Sequence, residues 1–470
     1  MMRSTLLPIG AALLGVSSVL ADSTSCGSGN LCPEDSPCCS RKLVMVPLFF
    51  AKPSPLPLTD EPGQTEYGEC GVGAYCLGGC DPRFSFSLDS CVPEPVCESK
   101  TMSMDSQDRI VSIDKYLGNA SQADWVSSGD PLFHDGSVLL TMPANSTGTV
   151  LASTVYMWYG NVKAKLKSSR GDGVVTAFIL LSDVKDEIDF EFIGADLTTT
   201  QTNYYFQALP IWTNVKNITD LSDTYSNFHE YEIDWTPDQI TWLVDGKAGR
   251  TLKRADTWNA TTNQWDYPQT PARIELSIWP GGDSSNSEYT IQWAGGAIDW
   301  NSPDIQQYGY DFATVSSVTI ECYNATSAPG TNNGKSYYYD NRSGLNNTVV
   351  NGDNATVLAS FLGTGTDMDA GADTSSASSS TATPNTIPGG SGGVGNTVGG
   401  DSSSGSGGES GSSTSSGAGC ATTGFTQSCG DSGGSSGSKS GAVGGRNEKV
   451  FGAGASAFAA IVAFVFLMWL

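Results

Sequence analysis

Strict alternation in the octet Asp186 to Ile193, D-E-I-D-F-E-F-I, fixes backbone and orientation together. In a β-strand successive side chains point to opposite faces. Glu187, Asp189 and Glu191 therefore share one face, and Ile188, Phe190 and Phe192 the other. The apolar face anchors the strand, and the three carboxylates stand in a row above it. Like charges side by side destabilise a sheet and raise one another's pKa. The bland alternative is a solvated acidic strand face, but three acids alternating with bulky apolar residues point to chemistry.

Spacing narrows the chemistry. At about 3.3 Å per residue, the Cα atoms of Glu187 and Glu191 lie roughly 13 Å apart, and inward-leaning side chains bring the carboxyls much closer. A retaining glycosidase holds its two carboxyls about 5–5.5 Å apart, one as nucleophile and one as acid/base. Asp189, shorter and between them, can hydrogen-bond or repel its neighbours and so keep one ionised and the other protonated.

The surrounding chain reads as short strands. Gly160 to Ser169 sets Val162, Ala164 and Leu166 against Lys163, Lys165 and Lys167, a half-buried strand. Val174 to Leu181 is continuously apolar, a buried strand, and a turn at Ser182 to Lys185 leads into the acidic octet. Ile240 to Val244 runs into Asp245-Gly246, a hairpin signal. No long 3.6-residue periodicity interrupts them, so an all-β jelly-roll sandwich is expected, its concave face carrying the acids. Aromatic rings crowd the same region, and sugar C–H faces lie well on such rings. Trp279 in S-I-W-P-G-G, Trp158 and Tyr205 are the expected groove residues, with Gln207 and Arg273 as polar candidates. About half of the aromatics in this region fit ordinary core burial.

The octet resembles the E-x-D-x-E catalytic strand of glycoside hydrolase family 16, and its flanks resemble the fungal Crh-type cell-wall transglycosylases. F-H-E-Y-E-I-D-W-T-P-D-Q-I-T-W-L-V-D-G (Phe228 to Gly246) and R-I-E-L-S-I-W-P-G-G (Arg273 to Gly282) follow in the same order as in that subfamily. The likeness spans roughly residues 98–325. It implies Glu187 as nucleophile, Glu191 as general acid/base and Asp189 as the residue assisting the nucleophile. It further implies transfer of chitin to β-glucan or chitin acceptors. The residues alone leave a β-1,3- or β-1,3-1,4-glucanase, or a non-catalytic wall lectin, open beside it.

A net charge of −25 disfavours nucleic acid, whereas a neutral polysaccharide needs no basic patch. Two histidines, His134 and His229, without a Cys/His cluster of zinc spacing, give no metal site, and no cofactor is expected. Residues 1–21 read as a secretory signal, with Arg3, an apolar run from Leu6 to Leu20 and V-L-A before Asp22. Secretion permits disulfides, and twelve cysteines and eight N-glycosylation sequons suit a surface protein.

Residues 22–97 form a Cys-rich module. C-x5-C-x5-C-C-S followed by Y-G-E-C-G-x4-C-x3-C resembles a hevein-like chitin-binding unit at Cys26, Cys32, Cys38, Cys39, Cys70, Cys76 and Cys80, with Cys91 as eighth. Of the serine and aromatics that grip sugar in that family, Ser40, Tyr67 and Tyr75 match, while Glu69 stands at an aromatic position. Residues 41–66, apolar and proline-rich, interrupt the unit; they read either as an insertion loop or, better, as a retained intron, because exposed apolar runs favour aggregation. Cys322 is expected to pair with Cys91 or Cys97.

Residues 326–445 are expected to form a flexible stalk, nearly without large apolar side chains after about residue 363, with Cys420 and Cys429 able to close a small loop. Residues 446–470, a polar spacer and an apolar tail, fit a lipid-anchor signal of the glycosylphosphatidylinositol type, with a transmembrane helix as the alternative. The expected protein is monomeric, secreted, and held at the outer membrane face or in the wall.

Overall fold

A computed structural model describes residues 24–40 and 66–372, with the Glu66 and Tyr67 side chains left out. The signal, the bulk of 41–66, Cys420, Cys429 and the apolar tail lie outside the described residues. Two eight-stranded sheets pack face to face among them, the all-β jelly-roll the alternation calls for. The strands of the first sheet are β1 (Ile110–Ser112), β2 (Trp125–Ser128), β3 (Thr149–Met157), β4 (Val174–Ser182), β5 (Glu187–Ile193), β6 (Thr200–Tyr205), β7 (Lys216–Ile218) and β8 (Ala272–Pro280). Their spatial order is β7-β6-β5-β4-β8-β3-β2-β1, antiparallel except for β1 beside β2. The second sheet includes Gly160–Lys167, His229–Trp235, Gln239–Val244 and Tyr310–Cys322.

The core lies between the sheets. Phe190 and Phe192, on the apolar face of β5, meet the Tyr231 ring edge-on with centroids 5.5 Å and 4.6 Å away. The Trp242 indole N–H crosses from the opposite sheet to donate to the Asp189 carbonyl at 2.9 Å. Apolar burial thus presses β5 inward on one side and turns its acids outward on the other. Asp245 and Gly246, both with positive φ, close the expected hairpin between Val244 and Lys247.

Two boundaries differ from the sequence expectation. The chain does not become a stalk at residue 326: Ser336–Tyr339 and Val349–Gly352 pair with each other, and the first also pairs with Glu94–Pro95. Tyr337, Val349 and Leu358 are buried there, apolar payload enough to order the stretch as far as residue 372. The Cys-rich module is likewise no separate bead. Cys38, Cys76, Leu77, Cys80 and Val92 share one apolar cluster with Val126, Val150 and Ala152 of β2 and β3.

Five disulfides link Cys26–Cys39, Cys32–Cys70, Cys38–Cys76, Cys80–Cys91 and Cys97–Cys322 among the described residues. Of the two partners left open for Cys322, Cys97 is the one that reaches it. Because that bridge spans 225 residues, it removes much freedom from the unfolded chain. Replacing both Cys97 and Cys322 by Ser should cost about 2–5 kcal/mol. Denaturant melts would show this as a lower midpoint at unchanged slope.

Candidate active site

The register across the first sheet builds the groove floor. Glu187 faces Tyr205 on β6 and Leu181 on β4; Asp189 faces Asn203 and Ile179; Glu191 faces Gln201 and Ala177. One strand further, Arg273, Glu275, Ser277 and Trp279 of β8 fall on the same face. Glu187 and Glu191 are half-buried, and Asp189 is buried, only 1% exposed.

Burial sets the protonation of the row. Neither Asp189 carboxyl oxygen has a hydrogen-bond partner of good geometry. Its pKa lies well above the ordinary range, first because it is desolvated and then because Glu191 and Glu187 stand beside it. Glu191 is pushed up to about 8 by burial and by the Glu187 charge. A carboxyl that holds its proton at neutral pH can donate it to a leaving oxygen.

Asp186, just before the row, is a fastening point that the sequence did not single out. Its Oδ2 accepts from the Gln269 and Thr270 amides at 2.9 and 3.1 Å and from the Thr270 hydroxyl at 2.7 Å, and its Oδ1 from the Gln207 amide at 3.1 Å. Burial nevertheless lifts its pKa to about 6, and burial does the same for Asp311. These raised groups have a stability consequence. Unfolded Asp and Glu titrate near 3.9 and 4.3, so between about pH 4 and pH 8 the folded state binds more protons than the unfolded one. Stability then falls as pH rises. The depressed carboxyls, Asp124, Asp196, Asp223 and Asp245, act only at lower pH. The melting temperature should be higher at pH 5 than at pH 8 by roughly 5 °C; scanning calorimetry across that range checks it.

Tyr205, Trp279 and the acids come together on one face, but other expected groove residues do not join them. Tyr205 is half-buried, its hydroxyl accepts from the Asn203 amide at 2.7 Å, and its ring lies edge-on to Trp212, centroids 5.9 Å apart. Trp279 lies on the acid face but is 3% exposed, buried beneath the half-buried Trp293 on which it stacks at 5.8 Å, and the Trp293 N–H donates to Gln201 at 2.8 Å. Aromatic pairs therefore flank both ends of the acid row. Trp158 is a correction: it sits in the core at 1% exposure, its N–H donating to the Gln269 carbonyl at 2.9 Å. The tight Met157–Gly160 turn, with Tyr159 at positive φ, ends the strand where its alternation would have been counted.

Gln207 and Arg273 are corrected too. The Gln207 side-chain amide donates to the Ser343 and Gly344 carbonyls at 2.8 and 3.0 Å, tying the C-terminal stretch to the sandwich. Arg273 lies on the acid face but is 4% exposed, paired with Glu275 at 3.2 Å and roofed by Gly78 of the module. Ser40 is 2% exposed, and its hydroxyl donates to the Tyr75 carbonyl at 2.6 Å, so it does not stand open to a sugar. Tyr75 is half-buried, and the Tyr67 side chain lies outside what is described. Gln201 and Asn203 were missed, and Trp212 was counted only among the aromatics of the region. Period-two alternation in T-Q-T-N-Y-Y beside the acid strand was the available signal for the first two.

The model of glycosyl hydrolases family 16 matches residues 119–295. Crh-like protein 3 of Botryotinia fuckeliana (strain B05.10) is 62% identical over 358 residues, 75% of this chain and 75% of that protein. Crh-like protein 2 of Aspergillus fumigatus is 49% identical over 391 residues, 82% and 83% of the two chains. A solved Crh5 transglycosylase in complex with NAG is 28% identical, with a TM-score of 0.47, covering 58% of this chain and 99% of that one.

Proposed function

This chain belongs to the Crh-like proteins of glycosyl hydrolase family 16, and from that premise we propose that it is a retaining cell-wall transglycosylase acting through Glu187, Asp189 and Glu191. The observation that carries the reading is the acid row itself: Glu191 pushed up to about 8 on the same face as Glu187. Glu191 donates its proton to the glycosidic oxygen while Glu187 attacks the anomeric carbon, giving a glycosyl-enzyme ester. Glu191, now a base, takes the proton from the incoming hydroxyl as that oxygen displaces Glu187. Asp189, buried and protonated between them, limits the negative charge beside Glu187.

Transfer instead of hydrolysis requires an acceptor held in place before water reaches the ester. The half-buried rings Tyr205 and Trp212 at one end of the row, and Trp293, backed by the buried Trp279, at the other, suit a donor chain on one side and an acceptor on the other. The donor is chitin and the acceptor β-glucan or chitin. The protein works secreted, as a monomer, at the outer membrane face through a lipid anchor or within the wall. Incubation with a chitin oligomer and a fluorescent β-glucan acceptor tests this. Label on lengthened products supports transfer; shortened donors with no label transferred identify a hydrolase.

A further inference from the structure

The module's Leu77–Cys80 turn closes on the turn that feeds the acid strand. The Gly79 amide donates to Asp183 Oδ1 at 2.8 Å, and the Tyr156 hydroxyl donates to the same oxygen at 2.7 Å. Lys185 Nζ donates back to the Gly79 carbonyl at 3.2 Å. Asp183 and Lys185 flank the tip of the Ser182–Asp186 turn, which Ser182 closes by accepting from the Asp186 amide at 2.8 Å. Lys185 stands two residues before Glu187 in the chain.

The approach is close enough that any side chain at Gly78 would have to displace its buried neighbours. A Cβ on Gly78 would come 2.6 Å from Arg273 Nη1 and 2.7 Å from the Tyr156 hydroxyl. The turn is itself rigid, bounded by the Cys38–Cys76 and Cys80–Cys91 disulfides. The C-terminal stretch straps the module from outside: the Gly73 amide donates to the Gly363 carbonyl at 2.8 Å and the Gly365 amide to the Ser90 carbonyl at 2.8 Å. Leu358 is buried in the same apolar cluster as Leu77 and Val150. A tethered sugar-binding unit would need none of these fastenings.

We propose that the N-terminal disulfide module is a fixed wall of the catalytic groove, and that its Gly79 peptide, through Asp183 and Lys185, is a positioning element for the strand bearing Glu187. The acid row rests on the enzymatic reading above, but the clamp does not. Asp186 ties the same turn to Gln269 and Thr270 from the sandwich side, so the turn is gripped from two directions. Loss of the module's grip leaves the turn held on one side only. Misplacement of a reacting group by about 1 Å can cost roughly a hundredfold in rate.

Asp183→Asn and Lys185→Met in the full chain test this, each compared with wild type for transfer kinetics and for amide hydrogen exchange across residues 182–187. Each variant should lower kcat by roughly tenfold or more while KM stays within about twofold, the split expected of misplacement and not of lost binding. Exchange across the turn should rise, the double variant should fall no further than the worse single one, and Lys185→Arg should recover most of kcat. The proposal is overturned if kcat per native molecule stays within about twofold of wild type in both variants, or if exchange in the turn is unchanged. Should wild type show no turnover with any wall glycan, the enzymatic reading fails. The exchange measurement still decides the clamp: a rise upholds it and no rise removes it.

Discussion

Glu187→Gln should lower kcat for transfer by roughly four orders of magnitude or more while leaving saccharide affinity and melting temperature near wild type. The amide matches the carboxylate in size but cannot form the glycosyl ester, so the chemistry stops with the groove intact. Removing one acid also relieves repulsion along a crowded row, in which Glu187 helps to raise both Asp189 and Glu191. Loss of turnover with loss of fold would therefore be the wrong pattern. Calorimetric titration with a chitin oligomer, beside the labelled-acceptor assay, separates the two. Retained turnover would remove Glu187 from the nucleophile's place.

Glu191→Gln carries the second large effect, and it depends on the leaving group. With a natural glycosidic bond the departing oxygen needs the Glu191 proton, so kcat should fall by roughly 10²–10⁴. With an aryl leaving group, stable without that proton, ester formation should persist while its resolution slows, because the base is missing too. The pH profile gives an independent sign. Wild type should lose activity as pH rises through about 8, where Glu191 gives up its proton, and this alkaline limb should vanish in the variant. An unchanged limb would mean that another group supplies the proton.

The part of this account that was legible in the chain is the part governed by local periodicity. Period two in D-E-I-D-F-E-F-I separates acids from rings, and the structure keeps that separation: Phe190 and Phe192 against Tyr231, the acids opposite. The sandwich follows from the same signal repeated. What stayed hidden depends on contacts distant in sequence. Arg273 was offered as a polar groove candidate, and the strand register does place it on the acid face; nothing local says that Gly78, almost two hundred positions earlier, covers it. Ser40 matched a sugar-gripping position, yet its hydroxyl is turned onto the Tyr75 carbonyl within the module. Trp158 was weighed by type, and a tight turn beside it sends the ring into the core.

The C-terminal boundary was set too early. The stalk was begun where the family likeness ends, near residue 325, although the loss of large apolar side chains comes only after about residue 363. Tyr337 and Tyr339 fall between the two, burying into a core built by the rest of the chain. Asp186 was quoted as the start of the octet and given no role, although four hydrogen bonds converge on it. A residue that fixes the entry to the acid strand differs in sequence from an ordinary turn aspartate in nothing but its distant partners.

Peptide mass mapping of a trapped intermediate tests the central claim most directly. The Glu191→Gln chain, given a chitin oligomer with an aryl leaving group, should accumulate one donor glycosyl group esterified to Glu187. A glycosyl group mapped to Asp189, or steady turnover with no adduct on any residue of the row, would contradict it.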